Sequence, residues 1–364
     1  MTVLDLRQLN RATLARQGLL QRRRASVADV VRDVGGLQAQ LPTAPMIGLW
    51  SRIDRFRREQ LVDAVGAGEV VRGTTLRGTL HLHEVDDYRA LRMSVQPVLD
   101  AYLKGMPRRM DEADIEPALE YGRSRFAQGP MTVAQLKAAM AERFPGSDPQ
   151  ATASVAKVGL QLLIEPDLEA RDGWKVNAPF ALAADIVGDS LEPPDTERVV
   201  RRFLEVLGPG SAKDAQTWSS LRRLKPVMER MHEAGELITV MTWEGDELYD
   251  LPDAPRPSGE TIAPPRFLPM WDNLLLSHAD RSRVIAPEYK PYLASKNGMP
   301  PPTFLVDGFV HGTWKVERSG SSATLVLTPL GRIPGSAEQP LIAEGEALLQ
   351  FLEPNAVERI VRVG

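Results

Sequence analysis

Two glutamines separated by one residue are the first side chains in this sequence that could do chemistry. Gln38 and Gln40 stand in the segment GGLQAQLPTAPMIGLW, residues 35–50. If the segment is extended, its alternation places both carboxamides on one side and Ala39 on the other. The pair then offers four N–H donors and two acceptor oxygens, which can orient a water molecule or a sugar through fixed dipoles. The structural alternative is that both glutamines satisfy backbone groups or face solvent.

Two histidines form a second candidate. His81 and His83, in the run TLHLH, share one face if this run is a strand. They could supply half of a metal site, line a site beside the glutamines or face DNA, or serve only the fold. A metal ion would need further ligands, and the chain has no cysteine and three other histidines. We therefore predict no metal and no cofactor.

Basic residues are concentrated at the start of an acidic chain. Residues 1–110 hold 18 Lys+Arg against 11 Asp+Glu, and the other residues hold 26 against 37, which gives a net charge of -4. A local basic field attracts a polyanion such as DNA whatever the sign of the total charge. The alternative is an arginine-rich face in contact with solvent. Seven arginines have a spacing that suits backbone phosphates better than base edges: Arg22, Arg23, Arg24, Arg52, Arg55, Arg57 and Arg58.

The composition excludes several classes of protein. Without cysteine there is no thiolate nucleophile, no Cys-ligated zinc and no iron-sulfur cluster, and a reducing cytoplasm is the favoured location. The first residues have no apolar core of signal-peptide length. No uncharged apolar run approaches the roughly 18 residues that a membrane helix needs. We expect a cytoplasmic protein without a membrane span.

An internal repeat indicates how the candidate residues are positioned. Residues 120–177 and 196–251 each begin with a helical period, break at Gly-Pro, continue with a short capped helix and a longer one, and close with a hairpin. This order is that of a winged helix-turn-helix unit. The residues that mark it are Gly129-Pro130 and Gly208-Pro209 at the breaks, Thr132 and Ser211 at the caps, Leu163 and Ala234 at the helix ends, and Asp172-Gly173 and Glu244-Gly245 at the turns.

The first hundred residues fit the same plan. Helical periods at 5–20, 26–35 and 57–66 precede an alternating run at 70–84 that predicts a hairpin. Pro42 and Pro45 are predicted to exclude regular structure after Gln40. We therefore expect a third winged-helix unit that contains both glutamines.

The composition changes after Leu251, where a Pro- and Gly-rich linker begins. The runs DNLLLSH, TFLVDGFVHGTWKV and ATLVLTPL predict strands, with Asp307-Gly308 as a hairpin turn, and residues 340–353 predict a last helix. This part is predicted to form a β-rich, partly closed barrel. The whole chain is expected to be α+β, with winged-helix units at 1–110, 111–190 and 191–253 and the β-rich domain at 260–364.

Four ordered blocks resemble the AlkZ/YcaQ family of bacterial DNA glycosylases: LQAQ, RGTTLRGTLHLHEVDDY, LPMWDNLLLSHADRSRVI and FVHGTWKV. The resemblance spans essentially the whole chain. It implies three tandem winged-helix units and a β-rich element that form a concave surface for duplex DNA. It also implies hydrolysis of the N-glycosidic bond of alkylated purines, including bulky N7-alkylguanine adducts and interstrand crosslinks. The family motif is Gln, an aliphatic residue, and then Gln in the AlkZ-like branch or Asp in the YcaQ-like branch. Gln38 and Gln40 match the AlkZ-like form, and Ala39 is a minimal version of the middle position.

The resemblance also implies roles for particular residues. Gln40 would orient the attacking water and Gln38 would hold that water or the deoxyribose, a division that is a hypothesis. The DNA-binding or site-lining set that we predict with them is Arg22, Arg23, Arg24, Arg55, Arg58, Arg77, His81, His83, Arg281 and Arg283. In the block from Asp272 to Arg283, an internal Asp-Arg pairing that fixes a turn is the alternative to phosphate contact. The family probes the duplex with a hairpin, for which Asp307-Gly308 and the strand pair at 70–84 are the candidates.

The expected protein is a monofunctional glycosylase that acts on double-stranded DNA carrying alkylated purines, for self-resistance to a DNA-alkylating natural product. A lyase step through a Schiff base is disfavoured because the first 100 residues contain no lysine. No obligate protein partner is evident. The first competitor is a winged-helix transcription regulator without catalytic activity, and the second is a protein that sequesters the free alkylating compound.

Overall fold

The computed structural model describes residues 2–105, 110, 114–170, 173–188, 191–294 and 298–364. Its α-helices are α1 Leu6–Arg16, α2 Val27–Asp33, α3 Thr43–Trp50, α4 Arg58–Gly66, α5 Val85–Leu91, α6 Gln96–Leu103, α7 Ile115–Phe126, α8 Val133–Arg143, α9 Pro149–Gly159, α10 Ala183–Val187, α11 Thr196–Leu207, α12 Ala212–Ser219, α13 Lys225–Glu233, α14 Asn273–Leu276, α15 Lys290–Leu293 and α16 Gly335–Leu352. Its strands are β1 Thr2–Leu4, β2 Leu37–Gln38, β3 Val70–Thr74, β4 Leu80–Glu84, β5 Leu162–Ile164, β6 Phe180–Leu182, β7 Ile238–Thr242, β8 Glu247–Asp250, β9 Arg266–Leu268, β10 Thr303–Val306, β11 Phe309–Ser319, β12 Ser322–Pro329 and β13 Glu358–Val363.

The candidate glutamines lie at the edge of a sheet that joins two predicted units. Among the described residues this sheet has five strands in the order β2-β4-β3-β5-β6. The hairpin predicted at 70–84 is confirmed as β3 and β4, and β3 continues the sheet by pairing Gly73 with Leu163 of β5. The two hairpins that the sequence assigns to separate units are therefore one structure, with Leu82 and Leu163 fully buried in it.

The repeat appears in the structure as two runs of three helices followed by two strands. These runs are α7, α8, α9, β5 and β6, and then α11, α12, α13, β7 and β8. Thr132 and Ser211 cap α8 and α12 as predicted, each in a reciprocal capping box with the residue three positions on. The predicted turn residue Asp172 and the domain limits 111 and 190 lie outside the described residues. The winged-helix assignment and the domain limits stay predictions.

A short strand at the start of the chain was not predicted. Strand β1 pairs in parallel with β7, which places Val3 opposite Met241 and gives a sheet ordered β1-β7-β8 among the described residues. A buried ion pair reinforces this link, since Arg16 of α1 contacts Asp250 of β8 at 2.8 Å. Arg16 also donates to the carbonyl oxygen of Leu204 in α11 at 2.6 Å, so helix α1 is fixed to the second of the two runs.

The C-terminal sheet is open, so the predicted barrel is wrong. In the described part of the chain its order is β13-β12-β11-β10-β9, and no pairing joins β9 to β13. Helix α16 connects β12 to β13, which pair in parallel, and its Leu341, Leu348 and Leu349 are completely buried. A helix packed on one face replaces barrel closure as the means of burying the apolar side of this sheet.

Two local predictions around the linker and the hairpins have opposite outcomes. Asp307 and Gly308 have φ of 50° and 81° and form the tight turn between β10 and β11, as predicted. The run DNLLLSH is not a strand, because it forms α14 with the Asp272 carboxylate accepting from Leu274 N–H. A capping residue before a short apolar run starts a helix as readily as a strand.

The segment after Gln40 is helical, against the prediction from its prolines. Pro42 is the N-cap of α3, and Pro45 lies in its first turn. Backbone N–H groups at these positions have no partner within a helix, so a proline there costs no hydrogen bond. Gln40 therefore lies directly before a rigid, almost fully buried helix. None of the helices in the described part of the chain is long and apolar enough to span a membrane.

Candidate active site

Gln38 is held by the guanidinium group of Arg77. Gln38 and His81 lie opposite each other in the pairing of β2 with β4. Arg77 Nη2 lies 3.2 Å from Gln38 Oε1, 3.0 Å from His81 Nε2 and 3.4 Å from Asn273 Oδ1. One nitrogen thus joins side chains from three segments, and Arg77 Nη1 adds a bond of 3.1 Å to the carbonyl oxygen of Trp218.

This contact determines which end of the Gln38 amide is available. A guanidinium group only donates hydrogen bonds, so the carbonyl oxygen of Gln38 faces Arg77. The NH₂ group is then the end that can donate to a water molecule, a sugar oxygen or a phosphate. Gln38 is 7% exposed, so this donor lies in a nearly buried position.

Gln40 lies at the solvent-exposed end of the same segment. Its Oε1 accepts from Leu80 N–H at a long 3.4 Å. Between the two glutamines Ala39 is fully buried, and it is fixed by its N–H to Leu80 O at 2.7 Å and by Arg72 Nε to its own carbonyl at 2.9 Å. The two carboxamides therefore share a rigid backbone but differ in exposure.

His81 and His83 are buried neutral imidazoles. His81 Nδ1 lies 3.0 Å from the carbonyl oxygen of Thr79, so this nitrogen carries the proton and Nε2 accepts from Arg77. Burial, reinforced by the nearby Arg77 and His83, holds the pKa of His81 well below its usual value. Burial also lowers the pKa of His83 to about 3, and its Nε2 lies 2.8 Å from Thr75 Oγ1. Both rings serve to position neighbours.

The arginine at the centre of this network is itself desolvated. Burial lowers the pKa of Arg77 to about 10, so the group stays charged at neutral pH. Its backbone has φ of 56°, in the left-handed region that non-glycine residues rarely adopt. The turn between β3 and β4 thus holds Arg77 in an unusual conformation that points it at Gln38.

Asn273 is a member of the site that the sequence did not reveal. Its Nδ2 donates to Gly36 O at 2.6 Å and to Val34 O at 3.4 Å, while its Oδ1 faces Arg77. Gly36 has φ of 88°, and a Cβ there would lie 2.6 Å from the His83 ring. The only available signal was an amide next to Asp272 at the start of an apolar run.

The described contacts of this network include no carboxylate. Among the residues that the structure describes, no group of three or more His, Asp or Glu is placed to hold a metal ion. The amide, imidazole and guanidinium groups of this network can orient a nucleophile and stabilise developing charge by fixed dipoles.

Comparison with known proteins gives this site its context. The family described as DNA glycosylase AlkZ-like matches residues 31–351. The chain belongs to this family. It is 24% identical over 371 residues to the interstrand DNA cross-link repair glycosylase of Streptomyces sahachiroi, with 97% of each chain covered. The solved structure of the DNA glycosylase AlkZ of S. sahachiroi has the same fold, with a TM-score of 0.77 and 21% identity over 100% of both chains.

Several arginines that the sequence assigned to DNA hold this AlkZ-like protein together. Arg22 pairs with Glu344 at 2.7 Å and covers the ring of Trp50 at 4.2 Å. Arg58 donates to the carbonyl oxygen of Phe351 at 3.1 Å and lies over the ring of the same residue. Both tie the first unit to α16.

Arg52 and Arg283 are buried. Arg52 forms a two-bond ion pair with Asp272, 3.0 Å for each bond, and both side chains are at most 1% exposed. An Asp-Arg pairing therefore does involve the block that starts at Asp272, but its partner comes from another part of the chain. Arg283 donates to Pro209 O at 2.7 Å, and Arg281 donates to Leu275 O at 3.3 Å.

Only a few of the arginines predicted to contact DNA are exposed. The side chain of Arg24 is 79% exposed, with Asp54 at 3.5 Å, and that of Arg23 is 46% exposed and paired with Asp33. Arg55 and Arg57 are exposed and line a shallow cavity together with Arg24. These side chains are already at the surface, so they can reach a phosphate without breaking a buried contact.

Neither candidate for a probing hairpin projects freely. Asp307, in the first turn, pairs with Arg7 at 2.5 Å and with Arg11, both on α1. In the second, the strands β3 and β4 lie inside the five-stranded sheet, and the turn carries Arg77 into the site. Which hairpin contacts the duplex stays a prediction.

Proposed function

We propose that this AlkZ-like protein is a monofunctional DNA glycosylase that hydrolyses the N-glycosidic bond of bulky N7-alkylated purines. The observation that carries the proposal is the fixed pair Gln38 and Gln40, with the NH₂ group of the first free to donate and the second exposed. Membership of a DNA glycosylase family supplies the reaction class.

The chemistry of the substrate explains why amides suffice. Alkylation at N7 places a positive charge on the purine, so the base departs neutral and needs little help from a general acid. The remaining tasks are to position a water molecule and to stabilise the sugar, which becomes oxocarbenium-like. In our proposal Gln40 orients the water, and the Gln38 NH₂ group holds that water or a deoxyribose oxygen.

The DNA contacts of the proposal use the exposed arginines. Arg23, Arg24 and Arg55 would contact backbone phosphates of a duplex, which would make binding weaken with salt. His81, His83 and Arg77 line or support the site from beneath the glutamines. Winged-helix units that form a concave surface would bring the duplex to this point.

Two finer parts of the proposal concern biology. Interstrand crosslinks are included as substrates because the relative aligned over 97% of both chains is named a cross-link repair glycosylase. We also propose that the protein protects a producer of a DNA-alkylating compound from its own product. A biosynthetic gene cluster for such a compound beside this gene would support that role, and an unrelated neighbourhood would contradict it.

The test is base release from a duplex that carries one N7-alkylguanine. Wild-type protein is incubated with this duplex, and hot alkali then reveals abasic sites as strand breaks. Gln38→Ala and Gln40→Ala should each lower the rate by at least about a hundredfold with little change in DNA affinity. Gln128→Ala, at an exposed glutamine in the turn after α7, is the matched control. Full activity of the double variant would refute the assignment.

The same assay separates the competing functions. Strand breaks before alkali would reveal a lyase step and contradict a monofunctional enzyme. A transcription regulator would bind one palindromic site tightly and release no base. A sequestering protein would bind the free alkylating compound in the absence of DNA.

A further inference from the structure

A cavity of about 700 Å³ opens directly beside Gln40. One wall is the segment from Gln40 to Pro42 together with Leu80. The facing wall comes from the second predicted unit, namely from α8, α9, β5, β6 and the loop residues 175–178. The network around Gln38 does not use this cavity.

One part of the cavity is cationic. Lys137, Lys157 and Lys175 line it, and of these Lys175 is paired with Asp167. No Asp or Glu is found among the described lining residues of the cavity. The ammonium group of Lys157 lies 5.5 Å from the centre of the Phe180 ring, and burial lowers the pKa of this lysine. The first turn of α8, which Thr132 caps, also faces the cavity and adds the positive end of a helix dipole.

Another part is apolar. Leu80, Ile164 and Phe180 line it, and two large apolar side chains at its mouth are unusually exposed. Leu41 is 36% exposed and Val176 is 82% exposed. A site that bound only backbone phosphates would need cations on an open surface and no apolar wall.

We propose that this cavity receives the bulky substituent attached to the alkylated purine, while its lysines face the phosphates beside the lesion. The substituent would be a drug-sized group with apolar or aromatic surface, since a pocket of this volume suits such a ligand. The inference rests on the proposed function, because it places the substituent next to the glutamine that orients the water. The enzyme would therefore select its substrates by the size of the group attached to the purine.

The proposal also accounts for the location of the cavity. A base tied to a large substituent or to the opposite strand cannot be rotated freely into a tight pocket. Room beside Gln40 lets the substituent extend out of the major groove while the glycosidic bond stays within reach of the glutamine. The methyl group of N7-methylguanine would leave the cavity empty, so release of this base should not depend on the cavity.

The experiment fills the cavity and compares two lesions. Ala134, in the first turn of α8, is exposed and lines the cavity, so Ala134→Trp fills space without disturbing the core. Ala138→Trp, one turn further on the same helix, is the matched control at an exposed position outside the cavity. The probes are duplexes with a single N7-methylguanine or a single N7-guanine monoadduct of an aryl nitrogen mustard.

We expect Ala134→Trp to lower kcat/KM for the aryl adduct roughly tenfold or more and that for N7-methylguanine less than about twofold. Val176→Trp should act in the same direction and guards against a folding defect of the first variant, which a thermal melt also checks. Equal effects of Ala134→Trp on both lesions, or none, would overturn the inference and leave the proposed function intact. If the wild type releases methylguanine and rejects the aryl adduct, the inference also fails. Release of neither base would remove the proposed function and the inference together.

Discussion

Arg77 Nη2 donates to the carbonyl oxygen of Gln38 at 3.2 Å and accounts for the direction in which this amide faces. The same nitrogen lies 3.0 Å from His81 Nε2, whose ring is fixed by its own bond to Thr79. A chain of hydrogen bonds therefore runs from the backbone through a neutral imidazole and a guanidinium group to the glutamine. Arg77 is a positioning residue in this arrangement, since Gln38 is the group that it orients.

Arg77→Met should lower kcat for base release roughly tenfold to a hundredfold and change the Kd for DNA little, because Gln38 loses its fixed direction. A double-mutant cycle that measures kcat for Arg77→Met, Gln38→Ala and the double variant distinguishes this positioning role of Arg77 from a purely structural one. If Arg77 acts through Gln38, the double variant should be no slower than Gln38→Ala alone. Additive losses in kcat would contradict this positioning role.

The sequence revealed the glutamines but not what holds them. Alternation predicts that Ala39 points away from both amides if the segment is extended, and the structure buries Ala39 completely. The orientation of Gln38 depends on a left-handed residue in a distant turn and on Asn273, more than 200 positions away. Neither tertiary contact leaves a periodic signal in the sequence.

The exposed and the paired arginines should behave differently towards DNA. Arg24→Met and Arg55→Met should each weaken duplex binding uniformly across sequences, and each should reduce the slope of log K against log salt concentration by about 0.9. Arg22→Met, which removes one of the two arginine partners of Glu344, should leave that slope unchanged and lower the melting temperature. A salt slope that responds to Arg22→Met and not to Arg24→Met would contradict the assignment.

A count of charges along the sequence could not distinguish the arginines that are exposed to DNA from those that are paired within the protein. Arg22, Arg23 and Arg24 are adjacent in sequence, yet their side chains are 21%, 46% and 79% exposed. Arg22 meets a carboxylate of α16, an element near the end of the chain, and the local sequence holds no trace of that contact. The prediction that Pro45 excludes a helix was also wrong because it ignored position. A proline in the first turn of a helix removes no hydrogen bond, and Pro45 lies in the first turn of α3.

The buried pair of Arg52 with Asp272 should be expensive to break. Asp272→Asn keeps an oxygen that can cap α14 but leaves the Arg52 charge without its partner, so the free energy of unfolding should fall by about 3–5 kcal/mol. Asp33→Asn makes the same change in the exposed pair with Arg23 and should cost less than about 1 kcal/mol. Urea denaturation of the two variants measures the difference, and equal losses would contradict it.

Stability should fall as the solution is acidified, because of the buried histidines. The pKa of His83 is about 3 in the folded protein and about 6.5 in an unfolded chain, so between these values the unfolded state binds more protons. The contribution of His83 is therefore fully present above about pH 6.5 and is lost as the pH falls towards 3. At pH 5 the loss is about 2 kcal/mol for this histidine, and the low pKa of His81 acts in the same direction.

The measurement is the free energy of unfolding at pH 7 and pH 5 for the wild type and for His83→Gln. The variant removes the proton that the unfolded state takes up at residue 83, so its stability should depend less steeply on pH. His311→Gln makes the same substitution at a histidine that is only partly buried and is the matched control. Because the glutamines do not titrate, the rate of base release should show no step between pH 6 and pH 8 while the protein stays folded. An unchanged pH dependence of stability in His83→Gln would show that His83 takes up a proton as readily in the native state as in the unfolded chain, against the low pKa described for this ring.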